Sequence, residues 1–159
     1  MATNYPMPDA AKVKLMLGLL FDGLDVKPGK KFEIVPPSGS WIGVYVADDG
    51  KPVAACAVDV ALAANSSAAL SMLPPGVAKD AAKTKELTDV MVANLQEIMN
   101  ICSRLLMNDS SAHLRLDKVY PSKAMPPQVT ALLGANPGRV DFELNVPKYG
   151  AGTLAVLST

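Results

Sequence analysis

The feature that most constrains the fold is a long amphipathic segment at residues 86–107. Its apolar residues recur every three or four positions, which is the spacing of a helix with one buried face. They are Leu87, Met91, Leu95, Ile98, Met99, Cys102, Leu105 and Leu106. We therefore expect a central helix whose apolar stripe packs against the core.

Extended segments lie on both sides of this helix in the sequence. The predicted strands cover residues 32–35, 40–47, 51–60, 113–120, 139–146 and 152–157. Asp48-Asp49-Gly50 stands between the second and third of them and is a turn signal, so these two strands are expected to form a hairpin. The last two are predicted to pair as a terminal antiparallel hairpin.

Two further helices are predicted. Residues 10–21 show helical spacing of apolar residues directly after Asp9, a residue type that caps helix N-termini. Residues 61–73 are rich in alanine and leucine, and Pro74-Pro75-Gly76 is expected to end that helix. The polar stretch from there to Lys85 is interpreted as a solvated linker or a lead-in to the central helix.

Element order and length together predict the fold class. Three helices and six strands follow one another without strict strand–helix alternation, which favours an α+β fold, a mixed or antiparallel sheet with helices against one face. The 159 residues suffice for one core, and a domain of that size buries roughly two thirds of the surface of its unfolded chain. We expect a single domain over residues 1–159.

Charge and cysteine content exclude several function classes. The 15 basic and 15 acidic residues cancel, and the basic ones are scattered, so nothing predicts binding to nucleic acid. The first residues resemble no signal peptide, and no apolar run is long enough to span a bilayer, so we expect a cytoplasmic protein.

Cys56 and Cys102 lie in apolar surroundings and are interpreted as buried reduced thiols. His113 is the only histidine and has no partner at metal-ligand spacing.

Glu97 and Asn100 form the candidate functional pair. At about 100° per residue, the central helix places both of them with Glu86, Ala93 and Arg104 in a narrow wedge opposite the apolar stripe. Residues three apart are neighbours on a helix surface, so a carboxylate and a carboxamide point the same way. Taken alone, such a pair is common on the solvated face of an amphipathic helix.

The segment Glu97-Ile98-Met99-Asn100 resembles the E-x-x-N helix signature of the CheC/CheX/FliY family of chemotaxis phosphatases. The order of helices and strands is similar to the family pattern nearly throughout, including an alanine-rich helix that ends in LSML at residues 70–73. Pro121, after the strand at residues 113–120, resembles the proline that the family places beyond its motif. The element order carries most of the resemblance, because the motif is short.

The resemblance implies a CheC/CheX-like fold and a phosphatase that acts on a phosphorylated CheY-type response-regulator receiver domain. Asn100 would orient the water that attacks the aspartyl phosphate, and Glu97 would pair with a lysine of the receiver. Arg104 and Pro121 would belong to the docking surface. The Mg²⁺ ion would be held by the receiver, so this chain would need no cofactor or metal of its own. The resemblance also implies a homodimer.

Two positions depart from the family pattern. Ala93 stands where the family usually has aspartate or serine, and Arg104 stands where it typically has a small residue. An arginine there would block close approach, bind an anion or lie along the surface, and the sequence does not choose among these. The alternative function is therefore a non-catalytic binding module that docks a receiver domain, another signalling partner or a second copy of itself.

Overall fold

An antiparallel sheet of six strands organises the part of the chain that the structure describes. The computed structural model describes residues 5–35, 38–135 and 137–159. The strands are β1 (Asp25–Pro28), β2 (Trp41–Val46), β3 (Pro52–Val58), β4 (Arg115–Pro121), β5 (Gly138–Val146) and β6 (Gly150–Ser158). They lie in the order β1-β5-β6-β3-β2-β4, and every neighbouring pair is antiparallel. The predicted α+β class and both predicted hairpins are confirmed.

The described residues form five α-helices, where the sequence predicted about three. They are α1 (Ala10–Leu17), α2 (Val60–Leu70), α3 (Pro75–Thr84), α4 (Asp89–Cys102) and α5 (Pro127–Gly134). A 3-10 turn, Ser103–Leu106, follows α4 directly. The central helix predicted at residues 86–107 is therefore α4 together with this turn.

Side-chain caps set the start of α4 as well as that of α1. Thr88 Oγ1 accepts a hydrogen bond from the Met91 backbone N–H at 3.3 Å, so α4 begins at Asp89 and not at Glu86. Asp9 Oδ1 accepts in the same way from Lys12 N–H at 2.8 Å, as predicted. Each cap provides a partner for an N–H group that the helix itself leaves unpaired.

The interpretation of the polar stretch as a linker is wrong, because α3 occupies it. Pro75 takes the first helical position. A backbone N–H group at that position makes no hydrogen bond within the helix, so its absence in proline costs the helix nothing. The buried face of α3 consists of Ala78 and Ala81, which pack with α2 and with Met91 of α4. Two small alanines are too weak an apolar signal to stand out among the lysines around them.

The predicted strand at residues 32–35 is also wrong. The edge strand is β1, which starts seven residues earlier than predicted and pairs with β5, with Val26 opposite Leu144. Ile34 instead packs in a second apolar cluster with Val129 and Leu132 of α5. A segment that covers one face of a sheet needs buried side chains but no strand pairing, and apolar content alone does not separate the two.

The sheet has apolar clusters on both faces. Alternate residues of β3 point to opposite faces and belong to different clusters. Helices α1, α2 and α4 cover one face, and α5 covers the other. The expectation that all helices lie on one face is therefore corrected for α5. That helix has eight residues and begins at Pro127, directly after Pro126.

Helix α4 is held close to β2 by two contacts at Met99. Gly43 of β2 leaves room for the Met99 side chain, since a Cβ atom on residue 43 would lie 3.0 Å from Met99 Cβ. Tyr45 Oη donates a hydrogen bond to the Met99 carbonyl oxygen at 2.5 Å. These contacts turn Met99 inward and so direct the opposite side of the helix toward solvent.

Two free thiols and a phenol are buried where α4 meets the sheet. Cys56 and Cys102 are both buried and reduced, as predicted. The hydrogen bond with Cys56, and then burial, raise the pKa of the Cys102 thiol well above its ordinary value. Burial raises the pKa of the Tyr45 phenol in the same direction. The folded protein therefore keeps both protons at a pH at which an unfolded chain loses them.

We expect the protein to lose stability as the pH rises above about 8.5, the ordinary pKa of a thiol, and further above about 10, that of a phenol. In that range the unfolded chain binds fewer protons than the folded one, so the free energy of unfolding falls with pH. Urea unfolding midpoints at pH 7, 8.5 and 10 measure the effect. A Cys102→Ala variant should show a shallower decline, and a midpoint that is equal at pH 7 and pH 10 would contradict the prediction.

Candidate functional site

The outer face of α4 carries the predicted wedge. Ala93, Glu97 and Asn100 are exposed, whereas Leu95 and Met99 on the opposite side are buried. Glu97 and Asn100 are separated by less than one helical turn, which places their Cβ atoms roughly 5–6 Å apart. The structure thus brings the carboxylate and the carboxamide together on one solvent-facing surface.

The side chains of the pair are not engaged within the described part of the chain. Neither Glu97 nor Asn100 makes a side-chain hydrogen bond or a salt bridge with residues 5–35, 38–135 or 137–159. Only the backbone carbonyl of Asn100 has a side-chain partner, Ser103 Oγ, at 2.7 Å. The carboxylate can accept hydrogen bonds, and the carboxamide can both donate and accept them, from another molecule.

Asn94 ties α4 to the end of α2 and has a role that sequence reasoning missed. Its Nδ2 donates to the Ser67 carbonyl oxygen at 2.9 Å and to Ser71 Oγ at 2.7 Å. Asn94 lies one residue from the wedge along the chain and is rotated away from it, so its amide is used for packing. Together with Tyr45, which holds Met99, it fixes the rotation of the helix that presents the pair.

Arg104 is exposed just beyond the end of α4. It belongs to the 3-10 turn Ser103–Leu106, which has about three residues per turn, so the angle expected for a continuous α-helix does not apply to it. Its guanidinium forms no salt bridge with the described residues. The structure therefore places an exposed cation in the turn that follows the C-terminal end of the helix.

Pro121 lies at the other end of the helix. It is the last residue of β4, is half-buried and pairs with Trp41 of β2. It lines a cavity of about 460 Å³ together with Glu86 and Leu87, which immediately precede α4. Eleven residues of helix, or about 16 Å along its axis, separate the start of α4 from Asn100. The structure does not bring Pro121 to the Glu97–Asn100 pair, and its role in docking stays a prediction.

No three His, Cys, Asp or Glu side chains of the described residues come together in a way that could hold a metal ion. The expectation that Mg²⁺ would come with the partner is a separate statement and stays a prediction. Among the helices of the described chain, none is long and apolar enough to cross a membrane.

Comparison with known proteins identifies the fold. No protein-family model and no curated protein matches the sequence. Among solved structures, a chain of the CheX-CheY-BeF3-Mg complex from Borrelia burgdorferi is similar with a TM-score of 0.54 and 10% identity, over 94% of this chain and 97% of that one. The FliM-SpeE complex from H. pylori is similar with a TM-score of 0.54 and 11% identity, over 94% of this chain and 78% of that one.

The chain therefore has a fold of the CheC/CheX/FliY type, as the resemblance predicted. At 10–11% identity, the similarity is one of backbone architecture.

Proposed function

We propose that this chain docks on a phosphorylated response-regulator receiver domain through the outer face of α4 and accelerates hydrolysis of its aspartyl phosphate. The observation that carries the proposal is the exposed pair Glu97 and Asn100, whose side chains have no partner among the described residues. The neighbour of similar fold in complex with CheY supports a receiver domain as the partner. A receiver partner also implies a cytoplasmic location.

Asn100 is the residue proposed to act on the reacting atoms. Phosphoryl transfer gains mostly from positioning and from stabilising charge on the phosphoryl oxygens, and water must approach the phosphorus in line with the leaving carboxylate. The Asn100 amide can hold such a water through its carbonyl oxygen while its N–H group donates a hydrogen bond. It adds no negative charge that would repel the phosphoryl group. The products are inorganic phosphate and the free aspartate of the receiver.

Glu97 is proposed to set the docking geometry. Its carboxylate would pair with a lysine of the receiver and so place Asn100, on the same side of the helix, at the phosphorylation site. The Mg²⁺ ion would be bound by the receiver, where it neutralises charge on the phosphoryl oxygens. This chain would then supply orientation and the water-holding amide, and no metal ligand.

Reversing the charge in a Glu97→Lys variant should weaken binding to the receiver by at least about tenfold, because an ion pair is replaced by repulsion. The Kd is measured by titration with a receiver that carries Mg²⁺ and beryllium fluoride, a stable mimic of the phosphoryl group. Asp22→Lys is the matched control, since Asp22 is an exposed carboxylate that follows α1 and does not lie on α4. Equal affinities of Glu97→Lys and the unmodified protein would contradict the role of Glu97.

The second candidate is a binding module without catalysis. Two observations favour it: Ala93 brings no polar group to the wedge, and the exposed Arg104 adds a bulky cation near Asn100. This function predicts a complex with the receiver that survives Asn100→Ala and leaves the rate of phosphate loss unchanged.

The homodimer implied by the resemblance stays a prediction, and sedimentation of the purified protein tests it.

A further inference from the structure

Met72 combines two features that disfavour the folded state, an exposed apolar side chain and a left-handed backbone conformation. Its side chain is 86% exposed, although methionine is a large apolar residue that usually packs inside. Its backbone has φ of +53°, in the left-handed region that disfavours any residue with a Cβ atom. The other described non-glycine residues with positive φ are Lys85 and Lys148, which carry a charge and are not apolar.

The conformation of Met72 follows from how α2 ends. The Met72 N–H donates to the Ala69 carbonyl oxygen at 3.0 Å, and the Leu73 N–H donates to that of Ala68 at 2.9 Å. This pair of hydrogen bonds is the Schellman arrangement, in which the position of Met72 is usually glycine. The hydrogen bonds that end α2 therefore explain the left-handed backbone conformation of Met72. The exposed methionine side chain contributes nothing to that helix end.

Met72 lies beside the N-terminal half of the wedge. Its neighbour Ser71 accepts a hydrogen bond from Asn94 of α4 at 2.7 Å. Val90 is one helical turn before Asn94 and is 53% exposed. Met72 and Val90 are thus two exposed apolar residues near Asn94, and we refer to the two together as the apolar shoulder.

We propose that this shoulder contacts an apolar side chain of the same receiver domain that Glu97 and Asn100 engage, with Met72 as the main apolar anchor. The proposal rests on the function proposed above. A carboxylate and a carboxamide orient a partner but bury little apolar area, whereas protein interfaces depend on a few well-buried anchors. The unbranched, flexible side chain of methionine adapts to an irregular partner surface. A docked partner would explain a large apolar side chain at a strained, exposed position.

The decisive variant is Met72→Gly, which removes the side chain and relaxes the backbone. We expect its melting temperature to rise by about 2–4 °C and its Kd for the receiver carrying Mg²⁺ and beryllium fluoride to weaken by about tenfold, from the loss of a buried apolar anchor. Met72→Leu keeps an apolar side chain and should bind within about threefold of the unmodified protein. Opposite changes in stability and affinity cannot result from misfolding.

Leu19 provides the matched control, since it is 74% exposed and follows a different helix, α1. Leu19→Ala should leave the affinity unchanged, and equal losses at Leu19 and Met72 would contradict a specific anchor. If the unmodified protein neither binds the receiver nor speeds phosphate loss, the proposed function itself fails. If it binds and Met72→Gly binds equally well, only the anchor inference fails. Loss of self-association in Met72→Gly with unchanged receiver binding would also overturn it.

Discussion

Replacing Asn100 by alanine is expected to lower the rate of catalysed phosphate loss by at least about 100-fold. Misplacing a reacting group slows enzymes on this scale. The amide that holds the attacking water is gone, while Glu97 and the rest of the docking face remain. Initial rates with excess phosphorylated receiver measure the loss. The affinity for the receiver carrying beryllium fluoride should change by less than about threefold, which separates catalysis from docking.

The fold should not suffer in Asn100→Ala. The side chain is exposed and has no partner among the described residues, and alanine favours a helix over asparagine by up to about 0.7 kcal/mol. The free energy of unfolding should therefore be equal to that of the unmodified protein or slightly larger. Gln128→Ala is the matched control and should keep full activity, because Gln128 is an exposed amide of α5 on the other side of the sheet. Full activity in Asn100→Ala would show that the amide has no catalytic role.

The largest effect on stability is expected for Gly152→Ala. Gly152 is buried in β6, and a Cβ atom there would lie 2.5 Å from the Cα atom of Leu62 in α2. The clash is with backbone, so no change of rotamer relieves it. Hydrogen bonds between Asp59 and Thr153, both of 3.1 Å, hold the start of α2 against β6 and keep the helix from moving away.

We expect Gly152→Ala to lower the free energy of unfolding by about 3 kcal/mol, the upper part of the usual range for overpacked cores. Urea unfolding followed by circular dichroism measures it. Gly76→Ala is the matched control, because Gly76 lies in α3 with no atom near its missing Cβ, and the exchange should be neutral or stabilising by up to about 1 kcal/mol. A Gly152→Ala variant within about 0.5 kcal/mol of the unmodified protein would contradict the close approach of α2 and β6.

The elements that could be predicted from the sequence have strong periodicity or a clear turn signal. The stripe of α4 spans several turns, and the turns that join β2 to β3 and β5 to β6 separate alternating segments. The elements that were missed have weak local signals. The helix α3 buries only two alanines, α5 begins among prolines, and β1 has four residues of which three are exposed. Their positions depend on contacts with distant parts of the chain.

The candidate pair could be predicted because the direction of a helical side chain follows from its position relative to the buried stripe. Tertiary contacts decide the rest of the surface. The amide of Asn94 is used by Ser67 and Ser71, which are more than 20 residues away in the sequence. The left-handed backbone of Met72 follows from the way α2 ends, and no glycine marks that position in the sequence.

Phosphatase activity is tested most directly by following the phosphate on a receiver domain from the same source as this protein. The receiver is phosphorylated with a small-molecule donor in the presence of Mg²⁺, the donor is removed, and the decay of the aspartyl phosphate is recorded with and without the purified chain. We expect faster decay with the unmodified chain and decay at the spontaneous rate with Asn100→Ala. Decay at the spontaneous rate with the unmodified chain, under conditions in which the two proteins bind, would contradict a phosphatase and favour the binding module.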